Sequence, residues 1–202
     1  MIKNVVFDFG QVLVRFDPAY MVGCYVSDRE DAAMLSEVIF DRLYWDRLDA
    51  GTITDEEVIE GCRSRLPERL WEVTERIYYN WLYHLPEIEG MRGLLERLKA
   101  RGVRLCLLSN ISTMFASHAD EISILSYFDH CIFSATCGCV KPSADIFSHL
   151  CRTCDLDPEE TVFVDDSAIN IAGAESYGIR GYLFDGDAKR LEFYLESLLS
   201  EV

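Results

Sequence analysis

Two short apolar runs that each stop on acids constrain this chain most: Val5-Val6-Phe7 before Asp8, and Val162-Phe163-Val164 before Asp165-Asp166. Runs this short, bounded by polar turns, read as strands buried on both faces, the pattern of a parallel sheet. In an open α/β sheet, ligands bind outside the carboxyl ends of the strands. If the two runs are neighbours, three carboxylates meet in one crevice, and such a cluster needs a cation to neutralise it.

The rest of the chain supplies the alternation that such a sheet requires. From Pro86 onward, a helical stripe at Met91, Leu94, Leu95 and Leu98 ends near Gly102, and Val103 to Leu108 follows as a strand. The pattern then predicts a helix from Ser112 to about Ile124, a strand at His130 to Phe133, and a helix from Pro142 to Cys154. A strand at Thr161 to Val164, a helix at Ala168 to Tyr177 with Gly178 as its C-cap, a strand at Gly181 to Phe184 and a leucine-striped final helix complete it. The expectation is an α/β fold, a Rossmann-like three-layer α/β/α core with a parallel sheet.

Residues 17–85 break this rhythm. They read as helices with no convincing strand, with Thr54-Asp55-Glu56-Glu57 as a capping box and Trp71, Ile77, Tyr78, Trp81 and Leu82 as an apolar face. The expected division is a core of residues 1–16 and 86–202, with a small helical cap, 17–85, inserted after the first strand.

Composition removes several classes of function. A net charge of −16 with no basic stripe argues against nucleic acid and anionic membranes as partners. No apolar run approaches the roughly 18 residues of a membrane span, and no basic-then-apolar leader opens the chain, so the expected compartment is the cytoplasm. The eight cysteines invite a disulfide or zinc reading. Cys106 lies inside an apolar strand, and Cys151 and Cys154 lie within a helical stripe, so most read as core filler. Cys137-Gly138-Cys139 reads as packing in a tight loop just ahead of Lys141.

Four polar sites then fall at the ends of strands or the starts of helices: Asp8, Ser109-Asn110, Lys141-Pro142, and Asp165-Asp166 with Asn170. Taken singly, an acid at a strand end is a turn former or a helix cap. Together they form a chemical set. A hydroxyl and an amide hold phosphate oxygens, a lysine offsets a nucleophilic carboxylate, and paired acids hold Mg²⁺.

In that order, Phe7-Asp8-Phe9-Gly10, Leu108-Ser109-Asn110, Val140-Lys141-Pro142 and Val164-Asp165-Asp166-Ser167 to Asn170 resemble the haloacid dehalogenase (HAD) superfamily of aspartate-nucleophile phosphohydrolases. The resemblance covers almost the whole chain and implies a Rossmann-like sheet ordered 5-4-1-2-3 or the reverse, with a helical cap between the first and second motifs. It assigns Asp8 as the nucleophile that becomes an aspartyl phosphate, and Ser109 and the Asn110 main chain as holders of the phosphoryl group. It assigns Lys141 as the neutralising cation. Mg²⁺ is assigned to Asp8, the Gly10 carbonyl, Asp166 and, directly or through water, Asp165. Asn170 is expected to orient the acidic turn, and Ser167 either caps the following helix or faces the site.

The chain departs from the family at one position. Family phosphatases carry a second aspartate two residues after the nucleophile, which protonates the leaving oxygen; here that position is Gly10. Three readings follow. Dehalogenases also lack the aspartate, but they need no metal and usually lack the paired acids. A second reading is a binding or regulatory protein that has lost turnover. The third is a phosphatase whose leaving group needs less help. Asp8-Phe9-Gly10-Gln11-Val12 and Asp49-Ala50-Gly51-Thr52-Ile53-Thr54 are similar to a bacterial subgroup that includes an α-D-glucose-1-phosphate phosphatase, whose anomeric oxygen leaves readily. Gln11 or a cap residue is a further route for the proton, relayed through water.

The expectation is therefore a Mg²⁺-dependent phosphatase acting on a small phosphorylated metabolite, a sugar phosphate, as a monomer or homodimer. Arg15, Trp45, Arg47 and Asp49 are the cap candidates for contacting substrate. Arg47 either meets phosphate or sugar hydroxyls or pairs locally, and Trp45 either stacks on substrate or fills the core.

Overall fold

The computed structural model describes residues 1–199. Its centre is a parallel sheet ordered β3-β2-β1-β4-β5, from β1 (Asn4–Phe7), β2 (Arg104–Ser109), β3 (His130–Phe133), β4 (Thr161–Asp165) and β5 (Arg180–Leu183). β1 occupies the middle and is buried on both faces. Its side chains alternate: Val5 and Phe7 enter one core layer while Val6 enters the other. The first layer is closed by α6 (Met91–Ala100) and α11 (Ala188–Leu199), the second by α9 (Ala144–Cys154) and α10 (Ala168–Tyr177). Crossover helices on both faces give the three-layer architecture expected of the alternating pattern.

The register carries the functional consequence. Phe7 lies level with Leu107 on β2 and Val164 on β4, so the chain leaves β1 at Asp8 beside the acidic end of β4. The Asp8 N–H donates to the Val164 carbonyl at 2.9 Å and extends the ladder by one rung.

Between β1 and α6 the chain forms α1 (Pro18–Gly23), α2 (Arg29–Ile39), α3 (Arg42–Asp49), α4 (Asp55–Arg65) and α5 (Trp71–Asn80). The capping box is present: Thr54 accepts from the Glu57 N–H, and Glu57 accepts from the Thr54 N–H. These helices bury a core of their own around Leu35, Ile39, Val58, Ile77 and Tyr78. The apolar face predicted for this segment divides, however. Ile77 and Tyr78 join the insert's core, whereas Trp81 and Leu82 pack into the main one. Both connections run together: Arg15 N–H donates to the Pro86 carbonyl at 2.7 Å, and Ile88 N–H to the Leu13 carbonyl at 2.9 Å.

One predicted helix is broken. Only α7 (Thr113–Ser117) forms in the 112–124 segment, followed by 3-10 turns at Ala119–Glu121 and Ser123–Tyr127. The Ser117 hydroxyl, at 2.7 Å, and His118 Nδ1, at 2.9 Å, both take the Met114 carbonyl, and His118 and Ile122 leave helical geometry. Side chains that bond local carbonyls compete with helix continuation. A short helix absent from the sequence expectation, α8 (Ser134–Cys137), follows β3.

Candidate active site

At the carboxyl ends of β1, β2 and β4 lies a cleft of ≈480 Å³, roofed by α3 of the helical insert. A larger hollow of ≈740 Å³ opens at the opposite ends of the strands. Several of its charges are engaged: Lys3 pairs with Glu160, and Arg104 donates to the Cys154 carbonyl. The cleft is where reactive groups converge, and it is at the end of the sheet where ligands bind.

Lys141 is its anchor. The ammonium is buried, with Nζ 2.8 Å from Asp8 Oδ1 and 2.7 Å from Asp165 Oδ2. Burial alone would lower its pKa, but the two carboxylates outweigh that and raise it, so the lysine stays charged. Asn110 holds the lysine's backbone in place. Its Oδ1 accepts from the Lys141 N–H at 2.8 Å and its Nδ2 donates to the Lys141 carbonyl at 3.1 Å. The Asn110 side chain therefore positions Lys141, and only its main chain remains for substrate.

Asp165, with no exposed side-chain surface, is equally constrained. It accepts from Lys141, from the Ser167 N–H at 2.8 Å and from Asn170 Nδ2 at 3.1 Å to both oxygens. These contacts use the acceptor sites of the carboxylate, so it orients Lys141 and the acidic turn. Asn170 orients the turn as expected. Ser167 occupies the N-cap of α10 but makes no capping hydrogen bond through its side chain. Asp166 is freer, and burial, followed by the neighbouring Asp165 charge, raises its pKa.

Asp8, Asp165 and Asp166 present oxygens within 4.8 Å of one another. Burial pushes the Asp8 carboxyl up to about 6, with Lys141 pulling the other way. Three carboxylates facing one ammonium leave two negative charges uncompensated, and that donor set of hard oxygens fits a divalent cation such as Mg²⁺. Ser109, buried at the end of β2, faces the same cleft, as does Gly10.

Two of the expected substrate-contact residues, Arg47 and Arg15, lie elsewhere. Arg47 is exposed, lies outside the cleft and donates only to the Thr52 carbonyl. Arg42, one turn and a half earlier on α3, lines the cleft instead. Arg15 is exposed and also lies outside it. Trp45 follows its core reading and also lines the cleft. It borders the cleft while its ring packs among Phe16, Phe40 and Trp81, with centroids 5.1–5.3 Å apart, and its indole N–H donates to the Ile39 carbonyl. Gln11 donates its amide to the Phe16 carbonyl at 3.0 Å and so closes the turn after Gly10. Cys137 and Cys139, packed against the second core layer, bring their sulfurs to 3.2 Å as free thiols.

The match to the model of haloacid dehalogenase-like hydrolases spans residues 2–178, and the chain belongs to that family. Among curated relatives, a sesquiterpene phosphatase of Aspergillus oryzae is 26% identical over 195 residues, covering 94% of each chain. A D-ribitol-5-phosphate phosphatase of Bacteroides thetaiotaomicron is 27% identical over 191 residues, covering 90% of this chain and 91% of the relative. Among solved structures, a HAD family enzyme of Bacteroides thetaiotaomicron in complex with magnesium and inorganic phosphate superposes with a TM-score of 0.69 at 22% identity. That alignment covers 95% of this chain and 99% of the other.

Proposed function

We propose that this protein is a Mg²⁺-dependent phosphatase that acts through an aspartyl-phosphate intermediate on a small phosphorylated metabolite, a sugar phosphate. The observation that carries the reading is the Asp8–Lys141–Asp165 assembly at the strand ends, with Asp166 beside it and two negative charges left for a cation. The named relatives act on phosphorylated small molecules of different kinds, which supports the reaction class more than any one substrate. Residues 17–85 serve as the cap and residues 1–16 and 86–199 as the core, the last three residues of the expected core lying outside the described ones.

Asp8 and Asp166, with the Gly10 carbonyl, would hold Mg²⁺, and Asp165, whose own oxygens are engaged, would support the site indirectly. When bound, the cation offsets the charge of the phosphoryl oxygens and lets an anionic nucleophile approach. The chain's own residues do the rest. Asp8 attacks phosphorus and the bond to the leaving oxygen breaks; water then releases phosphate from Asp8. Ser109 and the Asn110 main chain hold the phosphoryl group, Lys141 balances charge, and the roof of α3 excludes water. Trp45 and Arg42 at that roof favour a polyhydroxylated leaving group, a ring face for the indole and hydroxyls for the guanidinium.

The test is phosphate release from sugar, nucleotide, acyl and aryl phosphates, with Mg²⁺ and with chelator. The expected result is metal-dependent turnover that Asp8→Asn lowers by about 10⁴-fold or more, the scale of losing a nucleophile, without loss of fold. Turnover undiminished in that variant would sink the mechanism. Gly10 favours a second reading, a binding protein of the same fold. Silence across the panel with Mg²⁺ still bound establishes it.

A further inference from the structure

The glycine at position 10 leaves the leaving oxygen without a proton donor from β1, yet the cleft holds another acid that the reaction as described does not use. Asp49 is the last residue of α3 and reaches the same cleft from the opposite side to Asp8. Its Oδ1 is buried and has no hydrogen-bond partner among the described residues. A buried unpaired carboxyl oxygen costs free energy, so it marks a group kept for use or held protonated.

The backbone at this point is held firmly. The Asp49 carbonyl accepts from the Ser134 hydroxyl at 2.6 Å, and the same hydroxyl accepts from the Ile111 N–H at 2.9 Å, just beyond β2. Two residues on, Gly51 has φ +66°, and an added Cβ would stand 2.8 Å from the Ala135 carbonyl oxygen. The end of α3 thus lies directly on the core, where only glycine fits.

On this geometry, and resting on the phosphatase reading above, we propose that Asp49 is the general acid and base of the reaction, supplied by the helical insert in place of an acid at position 10. In the first half, Asp8 Oδ forms a bond to phosphorus while the bond to the leaving oxygen breaks. That oxygen takes the bond's electron pair and the Asp49 proton and departs as an alcohol. In the second half, the Asp49 carboxylate removes a proton from water, the water oxygen bonds to phosphorus, and the bond to Asp8 breaks. Phosphate and the Asp8 carboxylate are released, and Asp49 is again protonated.

The protonation state suits the role. Burial, the largest influence, raises the Asp49 carboxyl to about 7. Arg42 on its own helix pulls it down, Asp46 and, across the cleft, Asp8 push it up, and Lys141 pulls it down. An acid poised near the working pH both gives and recovers a proton.

The experiment compares wild type with Asp49→Asn, an isostere that removes no hydrogen bond from the unpaired oxygen. Both are assayed with Mg²⁺ on an alkyl phosphate, whose leaving group needs the proton, and on p-nitrophenyl phosphate, whose leaving group does not. The variant is expected to lose about 10²–10⁴-fold on the alkyl ester, the scale of a general acid. On the aryl ester it is expected to show a burst of one phenolate per enzyme followed by slow turnover, because only the second half still lacks its base. Asp49→Glu, which keeps a proton donor, is expected to retain part of the alkyl activity. Equal losses on both esters without a burst, or no loss on either, overturn the proposal while leaving the phosphatase reading intact. A wild type inactive on both esters overturns both.

Discussion

The two walls of the cleft are built on opposite principles. On the sheet side, Lys141 and Asp165 are almost wholly buried and bonded to each other, and Asn110 and Asn170 bond to them in turn. On the helical side, the Arg42 side chain is 84% exposed and Asp49 keeps an oxygen with no partner. A saturated network fixes charges that must not move during the reaction. A wall with an exposed charge and one unpaired acid can exchange protons and accommodate a leaving group. Within the proposed function, the sheet side sets what happens at phosphorus and the insert sets which ester it happens to.

The strongest test of this contrast removes the centre of the saturated wall. Lys141→Met leaves Asp8 and Asp165 facing each other without a cation, and breaking a buried pair in this way costs about 3–5 kcal/mol. Urea denaturation without Mg²⁺ is expected to show that loss, accompanied by loss of turnover. A variant as stable as wild type would mean that the two carboxylates are relieved by something other than Lys141.

The opposite wall is expected to behave in the opposite way. Asp49 has its pKa raised from 3.8 to about 7, so between those values the folded chain holds a proton that the unfolded chain has released. Stability therefore falls as pH rises through that window, and the whole penalty is present above pH 7. Asp49→Asn carries no such penalty. It is expected to be more stable than wild type at pH 8, by on the order of a few kcal/mol, with the difference closing toward pH 4. Denaturation midpoints across that range check it. A constant difference at all pH values would show that Asp49 titrates normally and that the two walls do not differ in this respect.

How much of this was legible in the sequence follows from the distances along the chain that each feature spans. β1 and β4 are short apolar runs, and their acids follow within a residue or two, so Asp8, Asp165 and Asp166 could be read locally and paired by sheet topology. Ser109, at the end of β2, was readable for the same reason, and Lys141 from its place in the ordered set of motifs ahead of a helix. The clamp of Asn110 on Lys141 spans 31 residues and depends on two loops meeting, which no local pattern encodes. The broken helix after α7 was hidden because apolar spacing continued through it while Ser117 and His118 took a helix carbonyl. Asp49 was visible only as one of four candidates for contacting substrate, with Arg15, Trp45 and Arg47, and as the first residue of the Asp49–Thr54 stretch. What sets it apart, an unpaired oxygen on the lining of the cleft that Gly10 also borders, exists only once α3 rests on α8.

The same limit explains the exchange of one arginine for another. Arg42 and Arg47 both belong to α3, and five residues on a helix turn a side chain by about 140° from its starting direction. Composition cannot tell which of them faces the cleft, but the phase set by Tyr44 and Leu48, which are buried in the insert's core, can. That phase sends Arg42 to the cleft rim, where it pairs with Asp46 at 2.8 Å, and sends Arg47 back to the Thr52 carbonyl. Because Arg42 is so exposed, its contact with substrate is screened and worth about 1 kcal/mol. Arg42→Ala is expected to raise KM for a sugar phosphate by about fivefold with kcat nearly unchanged, the signature of lost uniform binding. Arg47→Ala is expected to change neither. If Arg47→Ala raises KM instead, α3 turns its other face to the cleft when substrate binds, and the open wall is mobile rather than merely unsaturated.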